Sequence, residues 1–264
     1  MVRLLLQEVR VNALLTLEYR SGFVIYQINN VAGPAVSLLI WLTVQEHAAA
    51  GLPLDRSKLV TYFLLLGVVS MLTSAWTAEY LAEDIRTGAL SRYLLRPAPM
   101  MHQAGNNVGE KLIKLILIAP LVILVGLAFR TDVRLEPDAA RWLCVAVAVV
   151  LAAALTLTLD FLIGAAAFWL QDVSGLIALE ALVASLLAGR FVPLALFPPE
   201  LGPLLRAQPW RYLLSFPLEI ATGTLDAPGI AAGLGTQVAY LLVTLALFRW
   251  VWARGLRGYA AVGA

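Results

Sequence analysis

The chain has 264 residues and a formal net charge of +2, and 61% of its residues are hydrophobic while only 14% are charged. Its mean hydropathy is +0.83, whereas a soluble domain carries about 25% charged residues. No soluble fold could bury so much apolar surface, so the composition predicts an all-α protein whose main solvent is the lipid bilayer. The nearly balanced charge gives no support to nucleic-acid binding. We expect a single membrane domain over residues 1–264.

Residues 1–20 alternate between apolar and polar side chains at roughly helical spacing. The pattern predicts an interfacial amphipathic helix that leads into the first membrane span, and a solvated helical tail is also compatible with it. The stretch is not expected to be a cleaved signal peptide, because Glu8 and Arg10 interrupt its apolar run and no small-residue cleavage site follows.

Six stretches are predicted to cross the bilayer, since a spanning helix needs about 20 mostly apolar residues. They are residues 21–45, 59–78, 115–129, 142–170, 173–194 and 227–248. The third is the shortest, and we expect its helix to extend past Lys114, whose charged end can reach the interface. The fourth and fifth are each interrupted by one acid, Asp160 and Glu180.

The distribution of Lys and Arg predicts the orientation of these spans. An even number of spans places both termini on one side, and that side then holds 11 of the 19 Lys and Arg residues. Three of them, Arg249, Arg254 and Arg257, lie near the C-terminus without acidic neighbours. We therefore expect both termini in the cytoplasm.

Residues 190–228 contain seven of the 13 prolines. Prolines at this density prevent one long helix, yet the stretch is too apolar for a loop in water. We expect short helices that enter the outer face of the membrane as a re-entrant segment, with their broken backbone shielded by the rest of the protein.

The residue patterns of an enzyme or a metal site are absent from the sequence. It contains no HExxH or GxSxG motif, a single cysteine (Cys144), and two histidines, His47 and His102, without a second ligand at metal spacing. Residues 105–112 superficially resemble a phosphate loop, but the spacing differs and Leu112 stands where a hydroxyl residue is required. We expect no catalytic residue, metal or nucleotide site in this chain.

Asp160 and Glu180 are the acids that interrupt predicted spans, and an intramembrane carboxylate is a functional-site hypothesis by default. At 1.5 Å per residue, Asp160 lies about 27 Å along the fourth helix and Glu180 about 9 Å into the fifth, so both fall toward the cytoplasmic leaflet. They could face a substrate path, where they would favour cationic or amphiphilic cargo. They could equally be interfacial or hydrogen-bonded acids between helices.

A charged block, residues 79–111, separates the second and third spans. Its first residues are charged, so the second helix is expected to continue into the cytoplasm as far as Gly88. A short amphipathic helix then follows and ends at Pro97 and Pro99. Its apolar face is Leu90, Tyr93, Leu94 and Leu95, flanked by Arg92 and Arg96. Such a face needs either a groove in a partner protein or the lipid headgroups, and composition leaves both open.

Three parts of the sequence resemble the membrane subunits of type-2 ABC exporters, which are six-helix permeases. Residues 83–97 look like the coupling segment of that family, in which an acidic residue precedes a glycine and a leucine-rich stretch ends in proline, although Ala89 replaces the usual hydroxyl residue. Residues 164–169 are similar to a Gly-x-x-x-Phe-Trp turn between the fourth and fifth helices. Residues 189–198 and 210–217 resemble an outer re-entrant stretch before the last helix. The resemblance covers nearly the whole chain.

The resemblance implies a permease in the bacterial cytoplasmic membrane, paired with a second permease, identical or related, and with two cytoplasmic ATPase subunits. ATP and magnesium would bind in the ATPase dimer, and this chain would hold no cofactor. The coupling helix between the second and third spans would insert into a groove of the ATPase. The residues implied in coupling are Glu83, Asp84, Arg86, Gly88, Leu90, Leu94, Leu95, Arg96 and Pro97. The alternative is a secondary transporter or channel that works without an ATPase, but the repeated halves and charged midplane pairs of such carriers are absent from the sequence.

Overall fold

A computed structural model of the chain describes residues 20–47, 52–94, 101–135 and 137–259. Over these ranges the protein is helical and has no strand, as the composition predicts. The interfacial helix predicted for residues 1–20 lies outside the described residues except for Arg20, where the first helix begins.

Ten α-helices and four short 3-10 turns make up the described ranges. The helices are α1 (Arg20–His47), α2 (Arg56–Thr73), α3 (Thr77–Arg86), α4 (Leu90–Leu94), α5 (Met101–Ala128), α6 (Ala139–Ala165), α7 (Ser174–Leu187), α8 (Gly202–Ala207), α9 (Ser215–Ala221) and α10 (Ala227–Gly258). The 3-10 turns are Ala166–Phe168, Leu194–Leu196, Pro199–Leu201 and Pro209–Leu213.

Three stretches of the described chain are long and apolar enough to cross a membrane, namely Arg56–Arg86, Ala139–Phe168 and Ala227–Gly258. They coincide with the predicted second, fourth and sixth spans. A fourth stretch covers the predicted third span but is bent by 45° between Asn107–Ile116 and Ile118–Ala128.

The bend in α5 has a local cause in its sequence. Pro120 lies inside the helix, and a proline there has no amide hydrogen for the carbonyl of Ile116 and crowds that carbonyl with its ring. The helix therefore bends next to Ile116 instead of running straight through the predicted third span.

The predicted first and fifth spans differ in length. The first falls on α1, a helix of 28 residues, whereas the fifth falls on α7, which ends at Leu187 after 14 residues. At 1.5 Å per residue α7 is about 21 Å long, shorter than a hydrocarbon core of about 30 Å. It ends because Gly189 has a φ of 82°, a left-handed conformation that stops a helix. The count of six spans stays a prediction.

Helix α6 lies at the centre of the fold and packs against α10 and α3, while α2 packs against α1 and α5. Near its start, α6 contributes Val145 and Ala148 to a core with α9 and α10. Near its end, Phe161 and Ala165 join a second core with α3, α4 and α10. The proline-rich segment and the described part of the predicted coupling segment therefore lie at opposite ends of α6.

The proline-rich segment, residues 190–228, is described throughout and forms 3-10 turns and the short helices α8 and α9 instead of one long helix. A buried ion pair holds it together, with Arg211 Nη2 donating to Glu219 Oε2 over 2.6 Å. The Ser215 hydroxyl donates to the other oxygen of Glu219 over 2.9 Å. Whether the segment enters the membrane stays a prediction.

Candidate functional site

The helical backbone is interrupted between α2 and α3, and a side chain from α6 holds the start of α3. The first amides of a helix have no partner within the helix, and here the Asp160 carboxylate supplies one. Its Oδ2 accepts hydrogen bonds from the Thr77 amide at 2.8 Å, and from the Ala78 amide and the Thr77 hydroxyl at 3.4 Å each. Asp160 thus caps α3 across the helix interface, where its negative charge also complements the helix dipole.

A cavity of about 240 Å³ lies between α2, α3, α6 and α7. Asp160 and Glu180 both line it, so the structure brings the two predicted path acids into one space. Asp160, Arg190 and the Trp210 side chain lie within interaction range of the Glu180 carboxylate. Asp160 is therefore a hydrogen-bonded acid between helices that also lines a cavity, and its place in a substrate path stays a prediction.

Hydroxyl groups that were not predicted as site residues also line this cavity. They belong to Ser70, Thr73, Ser74, Thr156 and Ser185. Four of them donate their hydrogen to a carbonyl of their own helix, for example Thr73 to Val69 at 3.0 Å and Thr156 to Ala152 at 2.9 Å. A hydroxyl that donates in this way still has acceptor lone pairs. Together with the two carboxylates, the wall is therefore rich in hydrogen-bond acceptors.

Helix α7 forms one side of the cavity and is attached mainly at one end. No residue of α7, all of which the structure describes, is buried. Where α7 ends, Gln208 Nε2 donates to the Leu187 carbonyl at 2.8 Å, and the Tyr62 hydroxyl donates to the Gly189 carbonyl at 2.8 Å. Its leucine side chains on the opposite face are exposed, as expected for a surface that meets lipid.

The side chains of α3 and α4, which include predicted coupling residues, divide into buried and exposed groups. Leu81, Ile85 and Leu90 are 0%, 4% and 1% exposed and pack against Phe161 and Phe248. Leu90, which was expected to share the docking face, instead lies in the core of this chain, because the turn at Gly88 brings α4 back under α3. That turn has a φ of 77° at Gly88, a conformation in which glycine meets no steric penalty.

The exposed group contains Glu83, Arg86 and Leu94. Glu83 and Arg86 are exposed and form an ion pair with each other, and Asp84 is half-buried. Leu94 is 36% exposed. Leu95, Arg96 and Pro97, also predicted to couple, lie outside the described residues.

A second hollow of about 190 Å³ runs between α3 and the connection from α6 to α7, lined by Glu79, Glu83, Arg86 and Asp172 among others. The Ser174 amide donates to Asp172 at 2.8 Å and the Ser174 hydroxyl at 2.7 Å. These hydrogen bonds, with a smaller effect of Arg86, hold the pKa of Asp172 below its ordinary value. Asp172 is therefore a carboxylate at neutral pH, and the hollow is a charged surface beside α3.

Two glycines allow close packing beneath the α3–α4 segment. A Cβ on Gly164 would lie 2.8 Å from the Ala78 carbonyl oxygen, so this residue of the predicted Gly-x-x-x-Phe-Trp turn lets α3 touch the backbone of α6. A Cβ on Gly255 would lie 2.1 Å from the Phe168 ring. Phe168 packs edge-on against Trp169, Trp252 and Tyr259, and this joins the turn to the end of α10.

Among the residues that the structure describes, no group of three or more His, Cys, Asp or Glu side chains could hold a metal ion.

A family model described as "ABC-2 family transporter protein" matches residues 16–263 of this chain. The match covers nearly the whole sequence, so the chain belongs to that family. Membership makes it a transport subunit that is not itself catalytic and implies association with an ABC ATPase and with the membrane. The comparisons with curated proteins and with solved structures gave no match.

Proposed function

We propose that this chain is the permease subunit of an ATP-driven exporter, which forms the substrate path with a second permease. A separate cytoplasmic ATPase dimer, which binds ATP and magnesium, drives it through the α3–α4 segment. The observation that carries the proposal is the position of α3, since one end of this helix lines the acidic cavity and the other leads to the exposed Leu94.

The surface around α3 supports docking of a protein partner. Glu83, Arg86 and Asp172 border a charged hollow, and the following helix, α4, carries the exposed apolar side chain of Leu94. Charged groups around a small apolar contact favour a specific orientation of a docked protein. Because Leu90 is buried in its own chain, we expect Leu94 and the exposed charges to contact the ATPase. Leu95, Arg96 and Pro97 are further candidates from the sequence.

The chemistry of the cavity supports a cationic or amine-bearing cargo. In its wall the carboxylates of Glu79, Asp160 and Glu180 outnumber the Arg190 guanidinium, and hydroxyl oxygens add further acceptors beside apolar side chains. A cation with an apolar body would satisfy both kinds of wall, because a buried charge needs an opposite charge and hydrogen-bond partners.

The proposed location is the bacterial cytoplasmic membrane with both termini inside. Support comes from the arginines at the end of α10, Arg249, Arg254 and Arg257, because positive residues concentrate on the cytoplasmic side. In this orientation the α3–α4 segment, at the same end of α6 as the end of α10, faces the cytoplasm.

The proposal is tested by co-purification followed by reconstitution. We expect the tagged chain, expressed in its native host, to bring down an ABC ATPase, and the complex in liposomes to move cargo only when ATP is present. Transport by the purified chain alone, driven by an ion gradient, would contradict the proposal and support the secondary transporter or channel.

A further inference from the structure

The junction between α2 and α3 has non-helical backbone at Ser74 and Trp76. Ser74 is extended, with φ −61° and ψ 150°, and Trp76 has φ −140° and ψ 24°. Because backbone hydrogen bonding does not continue from α2 into α3 through these residues, the two helices can change their mutual angle without breaking either one. The orientation of α3 must therefore be fixed by contacts with other parts of the chain.

Further along α3, Leu81 and Ile85 pack in one core with Phe161 and Ala165 of α6. Two other contacts with α6 fix the start of α3 in the described structure. Trp76, the residue at the cap position, supplies no side-chain hydrogen bond to the helix there, and the Thr77 amide donates to Asp160 instead. One turn further along α6, on the same face, Gly164 contacts the backbone of Ala78.

Helix α3 is a direct mechanical connection between the cavity and the surface proposed to bind the ATPase. Its ten residues extend about 15 Å at 1.5 Å per residue. Its first turn is bonded to a residue of the cavity wall, Asp160, and its last turn, through Ile85 and Gly88, leads into α4.

We propose that Asp160 is the positioning residue that makes the α3–α4 segment and the cavity move together. The inference rests on the function proposed above, in which a nucleotide-dependent partner displaces the segment. That displacement reaches Thr77 along α3, and because Thr77 is bonded to Asp160, the cavity wall follows. Without the bond, the first turn of α3 slips along α6 and the cavity does not respond to ATP.

The test measures access to the cavity in the complex of this chain with its ATPase. Cys144→Ala removes the native cysteine, and Ser185→Cys places a single thiol on the α7 side of the cavity. The rate at which a methanethiosulfonate reagent labels this thiol is measured with and without ATP, together with the rate of ATP hydrolysis. We expect ATP to change the labelling rate in this background.

Two substitutions of Asp160 separate the loss of the helix cap from other effects of changing this side chain. Asp160→Ala removes the cap, which shifts the equilibrium of a helix end about fivefold, so we expect the effect of ATP on labelling to be lost while hydrolysis persists. Asp160→Asn keeps an acceptor oxygen in place, and Asn caps helices as well as Asp, so we expect the effect of ATP to be retained.

A second test variant and a control complete the set. Gly164→Ala pushes α3 away from α6 without altering the carboxylate, and we expect it to lose the effect of ATP as Asp160→Ala does. Asp226→Ala removes a comparable cap, the carboxylate that accepts from the Gly229 amide at 2.9 Å at the start of α10. It should retain the effect of ATP, because it lies at the opposite end of α6.

The outcomes distinguish this inference from the proposed function. If Asp160→Ala responds to ATP as its parent does, the inference is overturned and the proposed function stands. If the parent complex itself shows no effect of ATP, the proposed function is overturned and the inference with it. If Asp160→Ala fails to insert, Gly164→Ala decides the question, and a normal response in that variant overturns the inference.

Discussion

The proline-rich segment and the α3–α4 segment both consist of short helices, but they are held in place in different ways. Arg211, Glu219, Ser215 and Tyr212 form a buried network within the proline-rich segment. Arg141 of α6 adds hydrogen bonds to the Ile220 and Leu225 carbonyls at 3.2 and 3.1 Å. A network with several partners for each group rigidifies its surroundings.

The start of α3, in contrast, has one polar anchor, the Asp160 carboxylate of a neighbouring helix, beside apolar packing through Ala78, Leu81 and Ile85. Helix α7, which lies on the same cavity and is described over its whole length, has no buried residue. Local opening requires little free energy where few contacts are buried. We therefore expect the proline-rich segment to be the more rigid end of the fold (the fixed end), and α7 with the start of α3 to be the less rigid end (the movable end).

The largest effect is expected from breaking the fixed end. Arg211→Met leaves the Glu219 carboxylate buried without its partner, and removal of one member of a buried ion pair destabilises by about 3–5 kcal/mol. Thermal unfolding in detergent measures the loss. Arg206→Met is the matched control, because Arg206 lies in the same segment but is exposed. Equal melting temperatures for the two variants would contradict a network that holds this end.

Glycines that pack against aromatic rings allow a finer comparison of the two ends, because an added methyl group would press on the ring. A Cβ on Gly233 would lie 2.1 Å from the ring of Phe216, which is 0% exposed, so Gly233→Ala should destabilise by about 1–3 kcal/mol through overpacking. Gly255→Ala meets Phe168 at a similar distance, but that ring is only half-buried and can move aside.

We therefore expect the melting temperature to fall more in Gly233→Ala than in Gly255→Ala. Gly235→Ala is the control, since a Cβ there has no atom within 4 Å and alanine is the better helix former. A larger loss in Gly255→Ala than in Gly233→Ala would reverse the assignment of the fixed and movable ends.

At the movable end, Glu180→Gln should weaken the binding of cationic cargo and leave the stability of the protein unaltered. Glu180 is half-buried in the cavity wall, and the loss of a hydrogen bond to a charged group weakens binding by about tenfold. We expect the Km for cationic cargo to rise and that for neutral cargo to stay constant, with Glu200→Gln, an exposed acid outside the cavity, as control. Unchanged transport of several cargos would leave Glu180 a structural residue.

Hydropathy and proline content predicted the helical class, the location of three spans and the broken proline-rich segment, because these depend on local composition. The cavity could have been anticipated in part. Ser70, Thr73, Ser74 and Thr77 follow one another at i, i+3, i+4 and i+7, which places hydroxyls on one face of an apolar helix.

Other features depend on contacts that are distant in sequence. The bond between Thr77 and Asp160 joins residues 83 positions apart, and no local pattern indicates which amide a lone acid will meet. The short α7 was equally hidden, because the apolar composition continues past Gly189 while the backbone at that residue ends the helix. The burial of Leu90 follows from the turn at Gly88 and from Phe248, which is supplied by the last helix.

The contrast between Leu90 and Leu94 provides the most selective test of the movable end. Leu94→Asp should change the free energy of unfolding by less than about 0.5 kcal/mol, because substitutions at exposed positions have small effects, and should abolish stimulation of ATP hydrolysis by removing an apolar contact with the ATPase. Leu90→Asp places a charge in the core of this chain and should reduce the amount of folded protein itself. Hydrolysis assays and size-exclusion profiles of both variants separate the two effects. Normal stimulation by a well-folded Leu94→Asp variant would mean that the partner contacts other residues of the segment.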